Sequence, residues 1–196
     1  MRVKRTKQNI IHAFIELTKE KNISAITVQE IAQKAMINRA TFYAHYRDKQ
    51  DLYQQIFNQV IGLFAPLRNP RLFLNRQIMF SDLEKTITAV LKDCTQNRDL
   101  ILFIIDDTPA YKLQEQLRPV LAANIAPILD KVGINRDSAI PADLVITYII
   151  AMFTSVIAWW LHNGAAERIS EHQLAHTLVQ LALEGHMQVL GFEPKF

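Results

Sequence analysis

Residues 26–53 read ITVQEIAQKAMINRATFYAHYRDKQDLY, and this stretch decides the fold. Thr27 is a good N-cap, because its hydroxyl can accept a hydrogen bond from an otherwise unpaired backbone N–H. Glu30, three residues on, completes a capping box, and Ile26 and Ile31 occupy the two positions of a hydrophobic staple. A helix is therefore predicted from Val28, burying Val28, Ile31, Ala32 and Ala35. The pattern repeats at Asn38, which caps a second helix with Ile37 and Phe42 as its staple and with Phe42 and Tyr46 turned inward. Asp48 caps a third, with Asp51 as a weaker box partner. Only residues 36–38 join the two short helices, which forces a steep crossing angle. Two short helices crossing in this way have the geometry of a helix-turn-helix that enters a DNA major groove.

The surface chemistry of the segment agrees. Arg39, Thr41, Tyr43, His45 and Lys49 lie on the face opposite Phe42, with no acid among them before Asp48. Three ordinary surface helices of an all-α domain would give the same periodicity, but they would not need this run of phosphate- and base-seeking side chains. Arg is the commonest reader of guanine, and a small residue such as Ala40 lets a thymine methyl approach. Lys49 falls in the first turn of its helix, where the macrodipole favours a phosphate.

The runs TVQEIA (27–32), TFYAHY (41–46) and DKQDLY (48–53) together resemble the tetracycline-repressor (TetR) family of bacterial transcription regulators. The resemblance covers roughly residues 5 to 60. It implies that Thr27 touches a phosphate and Gln29 a base edge, that Arg39, Ala40 and Thr41 approach bases, and that Tyr43, His45 and Lys49 hold phosphates. One position departs from the family, which usually has Gly in the turn where this chain has Met36. Gly permits a positive φ there. Met takes such an angle only with strain, or the turn has another shape.

The chain has 196 residues, 49% of them hydrophobic, which is enough for a real core. Five Gly and seven Pro argue against a turn-rich β fold. The formal net charge of +3 hides an asymmetry. Residues 1–59 carry 10 Lys/Arg against 5 Asp/Glu, and residues 60–196 carry 12 against 14. Basic charge is thus concentrated where the helix-turn-helix lies. Arg2, Lys4, Arg5 and Lys7 read either as a solvated tail or as an arm tracking phosphates. The single Cys94 excludes an intrachain disulfide framework, and no secretory signal opens the chain, so a cytoplasmic location is expected.

The fold class expected is all-α with about nine helices. Residues 1–50 form the DNA-binding domain, and residues 51–196 a helical ligand-binding and dimerisation domain. Helices are predicted over 7–21, from 49 through 64, from about 81, over 100–109, over 111–132 with Pro119 and Pro127 as kinks or breaks, over 141–163 and over 170–190, with Gly133 as a stop. Residues 65–79 are expected to be a loop. The 18 residues 144–161 carry no charge. That length meets the lower bound for a membrane span. Thr147, Thr154 and Ser155 dilute it, however, and a helix apolar all round can be buried on one side by its own subunit and on the other by a partner. A homodimer through this helix and the last one is therefore expected, with Phe153, Ser155, Trp159, Trp160, Leu178 and Leu181 at the interface and no membrane. The run WWLHNG (159–164) resembles a C-terminal domain of Firmicutes-type members of the same family, which implies dimerisation.

Catalytic chemistry is not legible: there is no phosphate-binding glycine loop, no Gly-x-Ser-x-Gly elbow and no His-Glu-x-x-His. An enzyme is not expected, nor a cofactor or a metal. His172 and His176 are four apart, but sequence alone supplies no third ligand, and Asp106 and Asp107 read as solvated loop carboxylates. The function expected is a repressor binding a pseudo-palindromic double-stranded operator as a homodimer, released by a small apolar effector. Phe57, Ile61, Phe64, Phe103, Tyr111, Tyr148 and Met152 are the expected pocket walls. The alternative is a co-regulator whose C-terminal domain binds another protein.

Overall fold

A computed structural model describes residues 2–69, 73–74, 77–78, 80–131, 141–163 and 165–184. Nine α-helices occur among them: α1 (Arg2–Glu20), α2 (Val28–Lys34), α3 (Arg39–Tyr43), α4 (Lys49–Leu63), α5 (Phe80–Gln96), α6 (Arg98–Asp107), α7 (Ala110–Lys131), α8 (Ala142–His162) and α9 (Glu171–Glu184). Within the expected loop, Phe73–Leu74 (β1) and Gln77–Ile78 (β2) pair as a minimal antiparallel hairpin. The chain divides into two compact units, Met1–Val60 and Ile61–Phe196. The expected boundary at 50/51 falls in the first turn of α4, which runs on to residue 63 across the division.

The first unit is a small three-layered core. Ile10, Phe14, Ile31, Phe42, Leu52 and Ile56 are fully buried, as is Tyr46 but for 2% of its surface. All but Tyr46 come from the inward stripes of their own helices, and α2 packs against both α1 and α3. Burial pushes the Tyr46 phenol up to about 12, so it stays neutral at any ordinary pH.

In the second unit α5 packs on α9, and α7 on α8. Ile87, Val90, Leu91 and Cys94 of α5 face Leu174, Ala175, Leu178 and Val179 of α9 as buried residues. Burial also raises the Cys94 thiol to about 12, which makes it an inert core residue. α7 is continuous over both Pro119 and Pro127, where kinks or breaks were expected. The end of α8 is closed by Arg98, whose Nε and Nη2 donate to the Leu161 carbonyl at 3.1 and 2.8 Å. Trp160 is fully buried, with its indole N–H donating to the Ile169 carbonyl at 3.0 Å. Gly133 and residues 185–190 lie outside the described residues.

The expected histidine pair finds a carboxylate rather than a metal. The Glu84 carboxylate of α5 lies 3.0 Å from His172 Nε2 and 3.3 Å from His176 Nδ1, tying α9 to α5. His162 Nε2 is 2.9 Å from Asp106 Oδ1, so Asp106 is paired rather than simply solvated. Among the described residues no group of His, Cys, Asp or Glu is arranged to hold a metal.

Candidate nucleic-acid interface

The start of α2 is fixed from both sides. Thr27 Oγ1 accepts from the Glu30 N–H at 3.3 Å, and Glu30 Oε2 accepts from the Thr27 N–H at 2.9 Å, which completes the capping box. Such a cap is worth about 1 kcal/mol. Lys21 donates to the other oxygen, Glu30 Oε1. The Lys21 hydrogen bond, followed by those of Thr27, holds the Glu30 carboxyl down at about 2. Gln29, one residue before it, stays exposed.

The turn that follows explains how Met36 is accommodated. The Met36 N–H donates to the Gln33 carbonyl at 3.1 Å, and the Ile37 N–H to the Ala32 carbonyl at 2.9 Å. These are the two bonds of a Schellman motif, in which the residue after the cap is left-handed and usually Gly. Met36 occupies that position with φ 54° and leaves 89% of its surface exposed. The turn therefore keeps the shape that Gly would permit, and the strain falls on one L-residue.

Asn38 then caps α3, its Oδ1 accepting from the Thr41 N–H at 2.7 Å and from the Thr41 hydroxyl at 2.9 Å. α3 is short, and Tyr46 lies in the turn beyond it rather than in the helix. Phe42 points inward, while Arg39, Ala40 and Tyr43 are exposed and Thr41 and His45 half-buried. The Arg39 guanidinium sits 6.0 Å from the Tyr43 ring centroid, and its Nη2 is 3.5 Å from the Tyr43 hydroxyl. Arg39 and Tyr43, four residues apart, thus lie side by side on one exposed face of the motif. Thr27, Gln29, Arg39, Ala40, Thr41, Tyr43 and His45 all lie on the two helices of the motif or at their ends.

Two expectations about phosphate contacts change. Residues 2–7 belong to α1 rather than to an extended arm. Arg5 is exposed on that helix, and the side chain of Lys4 is outside the described residues. Lys7 is engaged internally, with its Nζ 5.6 Å from the Tyr46 ring centroid and 3.5 Å from Gln55 Oε1. Lys49 also has partners within the unit. Its ammonium donates to the carbonyls of Ile23 at 2.5 Å, Ser24 at 3.1 Å and Ile26 at 2.7 Å. Sequence spacing could not have shown this, because the partners lie 23 to 26 residues away and are backbone atoms.

The residues expected to line a pocket differ in burial. Tyr111 and Tyr148 are 60% and 47% exposed, while Phe64 and Phe103 are buried and Ile61 and Met152 half-buried. Phe57 falls in the first unit and is buried. Among the described residues, a recess is lined by Phe64, Leu67, Leu117, Ile150, Phe153 and Ile157, with Thr154 beside them. Its cavity volume is about 10 Å³, room for a single water-sized molecule. The Thr154 hydroxyl is spent on the Ile150 and Ala151 carbonyls, so the recess is apolar throughout. Of the expected interface residues, Trp160 and Leu178 are buried in their own subunit, and Phe153 lines the recess. Leu181 is half-buried, and Ser155 and Trp159 are exposed on α8.

Residues 10–56 match the family described as bacterial regulatory proteins, tetR family. The uncharacterised HTH-type transcriptional regulator YxbF of Bacillus subtilis is 26% identical over 172 residues, 84% of this chain and 42% of that protein. The chain spans less than half the length of the curated relatives at the head of the comparison. A solved TetR transcriptional regulator from Streptococcus agalactiae is 27% identical, with a TM-score of 0.58 over 92% of this chain and 95% of that one. The fold alone is shared with the Bacillus subtilis regulator FadR in complex with stearoyl-CoA, at 16% identity and a TM-score of 0.62, over 91% of this chain and 98% of that one.

Proposed function

We propose that the chain, whose residues 10–56 match the tetR family of bacterial regulatory proteins, is a DNA-binding transcription regulator of that kind and not an enzyme. The observation that carries this is the capped pair α2 and α3, which presents Gln29, Arg39, Ala40 and Tyr43 to solvent over a buried Phe42. Arg39 reads a guanine edge, Ala40 admits a thymine methyl, and Thr27, Tyr43 and His45 engage the backbone on either side. An operator so occupied is closed to polymerase, so repression is the sign this reading takes, in the cytoplasm.

The active form is a homodimer. On α8, Leu144, Tyr148, Ser155 and Trp159 are exposed. Their spacing of 4, 7 and 4 places them in a stripe about 60° wide on a helix of 3.6 residues per turn. Ile146, Ile150, Ile157, Trp160 and Leu161 hold the opposite face in the core. α8 is long and apolar enough to cross a membrane by composition, yet only 28% of its apolar window is buried within the chain. An exposed apolar stripe of this size calls for a partner, and a second copy of α8 is self-complementary to it. Two copies would then offer α3 to successive major grooves of a pseudo-palindromic site.

The recess around Leu117 and Ile150 is the candidate effector site. With room for about 10 Å³, it is far smaller than a ligand pocket as it stands. An apolar effector therefore enters only if the recess widens on binding. The stearoyl-CoA complex of FadR supports an apolar effector class only by analogy of fold. The internally satisfied Thr154 hydroxyl offers no group to orient a ligand, which favours the second reading, a co-regulator whose second unit binds a protein. Selection of duplexes from a random pool tests the central proposal. A two-fold-related consensus is expected, and enrichment of no sequence over random would defeat it.

A further inference from the structure

We infer that Lys21 is a positioning residue that acts on DNA through Glu30: it neutralises the carboxylate that caps α2, and so keeps the DNA-facing start of that helix open to a phosphate. The inference rests on the proposed DNA reading for its consequence. The start of α2 presents Thr27 and Gln29 to a duplex, and both are exposed. It also carries an acid. Glu30 Oε2 accepts from the Thr27 N–H at 2.9 Å and from the Thr27 hydroxyl at 2.8 Å. The capping box thus sets a carboxylate against the same hydroxyl that is assigned to a phosphate.

The two anions stand close. A phosphate oxygen accepts from a hydroxyl at about 2.8 Å, so on Thr27 it lies no more than about 6 Å from Glu30 Oε2. That is inside the Debye length of about 8 Å at physiological ionic strength, and salt does not screen the repulsion away. Glu30 titrates at about 2, so it carries its charge at any ordinary pH. The anions also compete for one hydroxyl hydrogen, since a threonine has no second to give. When the hydroxyl turns to the phosphate, Glu30 keeps the Thr27 N–H and the cap survives. Its charge must then be met from elsewhere.

Lys21 meets it. Its ammonium donates to Glu30 Oε1, the oxygen that the cap leaves open. The root of the lysine is fixed, because its own N–H donates to the Leu17 carbonyl at 3.1 Å and closes the end of α1. The other acid at that end, Glu20, is taken by Lys34 at 2.5 Å and does not draw Lys21 away. Among the described residues, Lys21 is the cation in contact with Glu30. The two side chains are 31% and 37% exposed, and an ion pair so open to water adds little to stability. What the pair changes is the field over the Thr27 hydroxyl, where a bare carboxylate would repel the duplex.

The test compares the wild type with Lys21→Met, Glu30→Gln, the double variant and Lys21→Arg, all in the full chain. Glutamine still closes a capping box, so Glu30→Gln removes the charge and keeps the cap. Affinity is measured for a duplex selected by the wild type and for a random duplex across a salt series, with melting temperatures alongside. Lys21→Met is expected to weaken both duplexes on the order of tenfold at low salt, the effect of one unmatched charge about 6 Å from another near a protein surface. The loss shrinks as salt rises. Glu30→Gln tightens both duplexes, the double variant returns to within about twofold of wild type, and Lys21→Arg binds as wild type does. A pair that only supports the fold gives another pattern, with both single variants weakened and the double variant not restored, and that result overturns the inference. So does a double variant as weak as Lys21→Met, which makes Lys21 itself a phosphate ligand. If the wild type selects no duplex, the sequence-reading proposal fails, and the random duplex still decides for or against Lys21. A wild type that binds neither duplex overturns both.

Discussion

Replacing Met36 by Gly is expected to stabilise the first unit. Met36 has the positive φ among the described non-glycine residues, 54°. Left-handed backbone costs an L-residue about 1–2 kcal/mol. Gly escapes that cost but loses more freedom on folding, which returns about 0.5–1 kcal/mol. The side chain gives up little burial, because 89% of it is already exposed. The balance favours Gly by about 0.5–1 kcal/mol. For a unit of this size that corresponds to a rise of about 2–8 °C in its melting temperature. The assay is thermal and urea unfolding of the full chain, with exchange at the Ile37 amide reporting the bond to Ala32 directly. Met36→Val supplies the opposite sign, since a β-branched residue tolerates positive φ worst of all. DNA affinity should not change with Met36→Gly, as the Schellman geometry is already formed. If Gly left the melting temperature unchanged or lower and Val cost nothing, the turn would not carry the strain assigned to it.

Arg39→Ala should cost on the order of 1–3 kcal/mol on a selected duplex and relax preference at one base pair, read by competition with single-base variants. Equal weakening on random DNA would make Arg39 a phosphate contact. Ser155→Arg, placed in the exposed stripe of α8, should give monomers by sedimentation with unchanged helical content and weakened operator binding. Glu30 titrates lower folded, at about 2, than its ordinary 4.5. Its contribution to stability is therefore present above about 4.5 and lost as pH falls toward 2. Glu30→Gln should be less stable than wild type at neutral pH, with the gap closing over that window in a pH series of melts.

The helix-turn-helix was legible because its determinants are local. Thr27 with Glu30, and Asn38 with the Thr41 N–H, are partners three residues apart, and such spacings can be read without a structure. Met36 was legible as a conflict, since the turn wanted Gly, and the structure resolves it in favour of the turn. What failed was non-local. The carbonyls that the Lys49 ammonium meets lie more than twenty residues earlier, so its place in a first turn could not show them. Trp160 was expected at an interface because its helix is apolar all round, and periodicity cannot say which arc of such a helix the subunit keeps for itself; Leu178, on the amphipathic last helix, is buried as well. Tyr111 and Tyr148 went to the surface for the same reason. Glu84, the partner of both His172 and His176, sits nearly ninety residues away on α5, so no motif joins them.

The central claim is that two copies of this chain present α3 to one two-fold DNA site. Sedimentation equilibrium of the full chain on a duplex selected from the random pool measures it most directly. Two chains per duplex are predicted, on half-sites one helical turn or a multiple of it apart. A single chain bound with full affinity to an isolated half-site would contradict the account.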